Sequence, residues 1–187
     1  LVKASENADE KRSFIDEAHQ LGHLIAQDGG RDLIDDSKKC GDPQSLFGAC
    51  IHGVVMGYAD KVSLKTISEK CALDTNADLI KRNCAHGLGH SIYTNKLSDN
   101  LMDCDKYFSP YLAPDCNSGV IMEYMLGTHS RAMGMISSKE ITYPACSDMQ
   151  EKYRETCAKA IGSYGLYYSS SSVDAALKKC SELTNNL

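Results

Sequence analysis

Apolar residues recur along this chain at helical spacing, and they do so in a repeated frame. Phe14, Ala18, Leu21, Leu24 and Ile25 fall one and two turns apart until Gly29-Gly30 ends the run. Further on, counted from a cysteine, apolar side chains return one, four, five and eight positions later. They are Ile51, Val54, Val55 and Tyr58, then Ala85, Leu88 and Ile92, then Val120, Ile121 and Tyr124. Each set predicts the core face of a helix. These first helices are expected near residues 13–29, 45–59, from the turn residues of 73–83 to about Asn95, 115–126 and 149–168. Shorter second helices are expected between them, over 33–40, 63–71, 97–104 and 172–183, with Ser63 as an N-cap. Gly41-Asp42-Pro43 and the prolines at 110 and 114 separate the elements.

The alternation has a period of 31 to 34 residues, which predicts an all-α chain of four to five stacked helix pairs, an α-solenoid of tetratricopeptide size. One domain over 1–187 accommodates it. Residues 1–12 are polar and read as a frayed start. Between 127 and 145 the cysteine-to-cysteine step lengthens to 41 or 42 residues, which reads as an insertion between repeats. Glycine follows the cysteine by three positions at Gly53, Gly87 and Gly119, where a missing side chain would let a neighbouring helix come close.

Nine cysteines change the picture, because none lies in a C-x-x-C or zinc-knuckle spacing. Eight couple by position across short loops: Cys40 with Cys50, Cys71 with Cys84, Cys104 with Cys116, Cys146 with Cys157. Eight cysteines allow about 105 pairings, and the repeat favours the sequential one. Each bridge stabilises by about 3 kcal/mol in the loop-entropy model. An oxidising, extracytoplasmic setting is expected: secreted, periplasmic or cell-surface. Leu177-Lys178-Lys179-Cys180 echoes Ser37-Lys38-Lys39-Cys40, so Cys180 stands where other cysteines bridge forward. It is a free thiol, an intermolecular bridge or the mark of a shortened array.

This arrangement of cysteines between alternating helices resembles the Sel1-like cysteine-rich helical repeat family over Ser13–Leu183. In that family a disulfide ties each repeat's second helix to the next repeat's first helix. The resemblance implies a secreted or periplasmic solenoid whose concave groove takes a protein or peptide partner. It carries over no site residue.

Charge removes other partners. The formal net charge of −5, without a Lys/Arg cluster, argues against nucleic acid and anionic membrane surfaces. No apolar run is long enough to span a membrane, and an opening at Leu1 with no signal segment reads as a processed chain.

The candidate chemistry is a stripe two and six positions after the cysteine. It reads His52 and Met56, His86 and His90, Ser118 and Met122, with His19 and His23 in the same register before them. The wheel puts this stripe outside the apolar face. His19/His23 and His86/His90 are one turn apart, so each pair can chelate one ion. The expected centre is His52, His86 and His90, with His19 and His23 completing it or forming a second site. Met56 and Met122 are soft extra ligands that tilt the choice between copper and zinc towards copper. Both H-x-x-x-H segments lack the glutamate of a zinc peptidase, and G-x-S-x-G, S-x-x-K and phosphate-binding glycine loops are missing. An enzyme is not indicated. Glu123 borders the stripe and is open to two readings, a ligand or base, or more simply a solvated helix carboxylate. Two functions of different kinds remain open: an extracytoplasmic metal-binding repeat protein, or a metal-free scaffold for a protein or peptide.

Overall fold

The computed structural model describes residues 8–29, 32–44, 48–73, 76–94, 104–127, 130 and 146–168. Among them every regular element is helical: α1 (Ala8–Gly29), α2 (Leu33–Lys38), α3 (Ala49–Ala59), α4 (Leu64–Cys71), α5 (Asp78–Thr94), α6 (Ala113–Leu126) and α7 (Glu151–Tyr168). Single 3-10 turns at Cys104–Lys106 and Cys146–Asp148 precede α6 and α7. The expected insertion, the expected helix over 172–183, most of that over 97–104, and Cys180 lie outside the described residues.

Local chemistry explains most boundaries. Asp32 caps α2, its Oδ1 accepting the N–H groups of Ile34 at 2.9 Å and Asp35 at 3.2 Å. Ser63 caps α4 as expected, accepting the Thr66 N–H at 3.2 Å. Pro114 sits in the first turn of α6, where an absent N–H costs nothing. Gly127, at φ +58°, ends α6 in the left-handed conformation and donates to the Glu123 carbonyl at 2.8 Å. Two helices begin earlier than the apolar pattern suggests. Residues from Ala8 onward join α1, and α5 starts at Asp78.

All four sequential cysteine couples are bridged, with Cα atoms 5.6–5.9 Å apart. Two of the bridges fasten a second helix to the next first helix: Cys40 follows α2 and meets α3, and Cys71 ends α4 and meets α5. In agreement, α2 lies against α1 and α3, while α4 lies against α3 and α5.

The first helices do more than stack. Contacts run from α1 to α3, α3 to α5, α5 to α6 and α6 to α7, and α7 returns against α1. The described helices therefore close a ring. One apolar cluster, with Leu33, Ile34, Val54, Ile67 and Leu88, fills the space between first and second helices. Another brings Ile15 and Ala18 of α1 together with Ile121 and Met125 of α6 and Tyr153 and Ile161 of α7. Among the described residues, the face that would line a concave groove is buried inside this ring.

Glycine sets the spacing, as expected of the position three after the cysteine. A Cβ on Gly53 would overlap the His19 carbonyl oxygen, and one on Gly119 would overlap that of His86. Helix backbones are thus in direct contact one residue from the histidine stripe.

Candidate metal centre

Closing the ring turns the histidine stripe inward. His19 on α1, His52 on α3 and His90 on α5 are 1%, 3% and 0% exposed, so the stripe that the wheel puts outside the apolar face is a second buried face. α3 and α5 are covered on both sides, by second helices outside and by neighbouring first helices inside.

The three rings converge. Their centroids lie 5.5 Å (His19 to His52), 5.4 Å (His19 to His90) and 5.7 Å (His52 to His90) apart. One ring nitrogen from each lies within 4.8 Å of the other two. Nitrogens bound at about 2.0–2.1 Å around a tetrahedral ion stand roughly 3.3 Å apart, so rotations moving each ring by about 1 Å would gather them on one ion.

One nitrogen of each ring is engaged, and this leaves the lone pair on the other. His19 Nδ1 is 2.8 Å from the Ile15 carbonyl oxygen, which can only accept, so Nδ1 carries the proton and Nε2 the lone pair. His52 Nε2 is 3.4 Å from Asn83 Oδ1, and Asn83 is oriented by its own Nδ2 donating to the Pro43 carbonyl at 2.8 Å. His52 Nδ1 therefore holds the lone pair. His90 Nδ1 donates to Glu123 Oε2 at 3.1 Å, leaving the lone pair on Nε2. Among the described residues, neither His52 Nδ1 nor His90 Nε2 has a hydrogen-bond partner. Buried ring nitrogens without partners are costly as packing elements and suited to holding an ion. A carboxylate behind a histidine is also the usual outer support of a metal ligand, fixing ring orientation and raising basicity.

Glu123 is the residue whose role the sequence hid. It is 0% exposed, not solvated. Its Oε1 accepts from the Ser130 backbone N–H at 3.2 Å and hydroxyl at 3.0 Å while Oε2 serves His90. The available signal was the period: His90 and Glu123 are 33 positions apart, as are Arg82 and Asp115, which also pair between adjacent first helices.

The convergent three, His19, His52 and His90, differ from the centre expected on His52, His86 and His90. His86 stacks on His52, with centroids 4.4 Å apart, and lies 5.0 Å from His90, but it stands beside the convergent three instead of among them. His19 takes its place. His23 turns away, its Nε2 3.3 Å from Asp60 Oδ2 and its Nδ1 3.4 Å from the Gln27 amide nitrogen. Met122 belongs to the apolar cluster of α6 and α7, and Met56 is buried on α3.

Burial, and then the imidazoles of His86, His19 and His90, hold His52 well below the usual 6.5. His86 is lowered likewise, by burial and then by His90 and His19. Both rings are neutral at pH 7 and ready to donate. In the unfolded chain they titrate near 6.5, so below that pH the unfolded state binds more protons than the folded one. The metal-free protein should accordingly lose stability as pH falls through about 6.5, by about 1.4 kcal/mol per pH unit for each group. Urea denaturation of chelator-treated protein between pH 8 and 5 measures this, and a flat profile would contradict two neutral buried imidazoles.

No helix among the described residues is long and apolar enough to cross a membrane. The four disulfides fit an oxidising, extracytoplasmic environment. In comparisons with known proteins, no family model matches the chain, and no curated protein or solved structure is significantly similar to it.

Proposed function

We propose that this chain is an extracytoplasmic metal-binding repeat protein that holds one zinc or copper ion on His19, His52 and His90 at the centre of its helix ring. One observation carries the reading: three imidazoles from three repeats meet, each with a hydrogen bond on one nitrogen and a lone pair left on the other. Neutral nitrogen donors suit zinc and copper, whereas calcium and magnesium require oxygen ligands. Three nitrogens leave a fourth position on either ion. The disulfides suit a secreted, periplasmic or cell-surface protein. With no conventional catalytic motif, retention or carriage of the ion is the simplest use of the site.

The test is stoichiometry coupled to stability. Chelator-treated protein, titrated with zinc and separately with copper, should bind one equivalent of its preferred ion. At free ion a hundredfold above Kd, unfolding should shift by about 2.7 kcal/mol, roughly 5–10 °C for a chain of this size. If neither ion binds and neither moves the melting temperature, the alternative stands: a metal-free scaffold for a protein or peptide.

A further inference from the structure

The position directly after the cysteine carries a core residue in two of the first helices. Ile51 on α3 and Ala85 on α5 are 1% and 0% exposed. On α6 the same position is Asn117, which is just as deeply buried, at 2% exposure, but polar. Its side-chain oxygen Oδ1 has no hydrogen-bond partner among the described residues. A carboxamide oxygen only accepts, so what Asn117 lacks is a donor. Left unbonded, such a group weakens a fold in which an apolar side chain would serve better.

Asn117 lines a cavity of about 380 Å³ between the start of α6 and the start of α7. That volume falls within the roughly 300–1,000 Å³ of small-molecule sites, which join apolar and aromatic walls to a few polar groups. Here Phe108, Pro110, Pro114 and the ring of Tyr153 supply the walls. At the exposed rim Lys152 pairs with Asp105, and the Tyr153 hydroxyl donates to Asp105 Oδ2 at 2.8 Å. The charges at the rim are thus balanced, and the Tyr153 hydroxyl is already committed. Asn117 Oδ1 remains as the buried acceptor open to a ligand.

We propose that this cavity binds a neutral aromatic group with one hydrogen-bond donor, a phenol or an indole. Its O–H or N–H bonds to Asn117 Oδ1, and its ring packs against Phe108, Pro114 and Tyr153. A balanced rim offers no net charge to hold an ion, whereas flat aromatic and proline walls suit a ring. The same chemistry comes from a free small molecule or from a tyrosine or tryptophan side chain of a peptide. No histidine lines the cavity, so the proposal stands whether or not the histidine centre holds a metal.

Three probes test it, because p-cresol, toluene and p-methylanisole share a ring and only p-cresol can donate. Titrated into the full chain and followed by NMR, p-cresol should bind at least about tenfold more tightly than either of the others, the discrimination expected when a buried acceptor gains its bond. Asn117→Leu should erase that preference and bring p-cresol to the level of toluene. Should that variant fold poorly, Thr156→Phe serves instead: Thr156 is half-buried in the cavity wall, and a ring there should fill the space and weaken p-cresol by about tenfold or more. N-acetyltyrosinamide separates the two sources. Tighter binding than p-cresol assigns the site to a peptide side chain, and its exclusion assigns the site to a free small molecule. A parent protein that fails to bind p-cresol, or binds all three probes alike, would overturn the proposal. So would p-cresol affinity unchanged by Thr156→Phe.

Discussion

Replacing His90 with Ala is expected to lower zinc or copper affinity by about 10²–10³-fold, and it should do so while leaving all four disulfides in place. A structural zinc site contributes on the order of 10–16 kcal/mol in total, so one ligand of three or four accounts for a few kcal/mol. The same change also removes the ring to which Glu123 Oε2 is bonded at 3.1 Å, in surroundings where both side chains are fully buried. The metal-free fold should therefore lose about 1.5–3 kcal/mol, the value of one hydrogen bond to a buried carboxylate that keeps its bonds from Ser130. Glu123→Gln separates these effects: it keeps all three nitrogens and should weaken the ion by about 10–100-fold, as outer-shell changes do. His86→Ala, which touches the cluster without belonging to it, should change affinity by no more than about tenfold. Calorimetric titration and urea denaturation of the three variants give both quantities. Parent-like metal binding by His90→Ala would remove His90 from the ligand set and with it the proposed centre.

The second large effect is on packing. Gly53→Ala should destabilise the protein by about 3 kcal/mol or more, although alanine is the better helix former by about 1 kcal/mol. Its new methyl would overlap the carbonyl oxygen of His19, which is backbone and cannot rotate aside, so α1 and α3 would have to separate. Separation moves His19 away from His52, and metal affinity should fall with stability. Gly162→Ala on α7 is the matched control, since a Cβ there has no neighbour within 4 Å. It should raise stability by up to about 1 kcal/mol. Chemical denaturation of both variants decides whether the glycines are spacers or accidents of composition; equal, small effects would favour the latter.

Much of this architecture was legible because the repeat is regular. The cysteine couples followed from position, and Ser63 announced its helix. Gly53 and Gly119 marked close backbone contacts through the absence of a side chain where an ordinary core helix carries one. Contacts between adjacent first helices were also within reach, since partners such as Arg82 and Asp115 lie one period apart. What the pattern could not convey is curvature. In a straight stack, α1 and α5 would stand two helix spacings apart, roughly 16–20 Å, and His19 would never meet His90. A ring of five helices spaced about 9 Å apart has a radius near 8 Å, within reach of an imidazole projecting from a helix axis. The pairing of His19 with His90, the burial of Glu123 and the displacement of His86 from the centre all follow from that closure. None of them has a signature in any single repeat.

Closure also fixes a number. An open helical array can gain or lose a repeat at little cost, because each unit answers only to its neighbours. Here the five first helices return on themselves around donors drawn from α1, α3 and α5. A sixth would widen the ring and draw His19 out of range of His90, while a fourth-only ring would leave no room for three imidazoles at its middle. The number of described first helices is thus as much a determinant of the proposed centre as the histidines themselves.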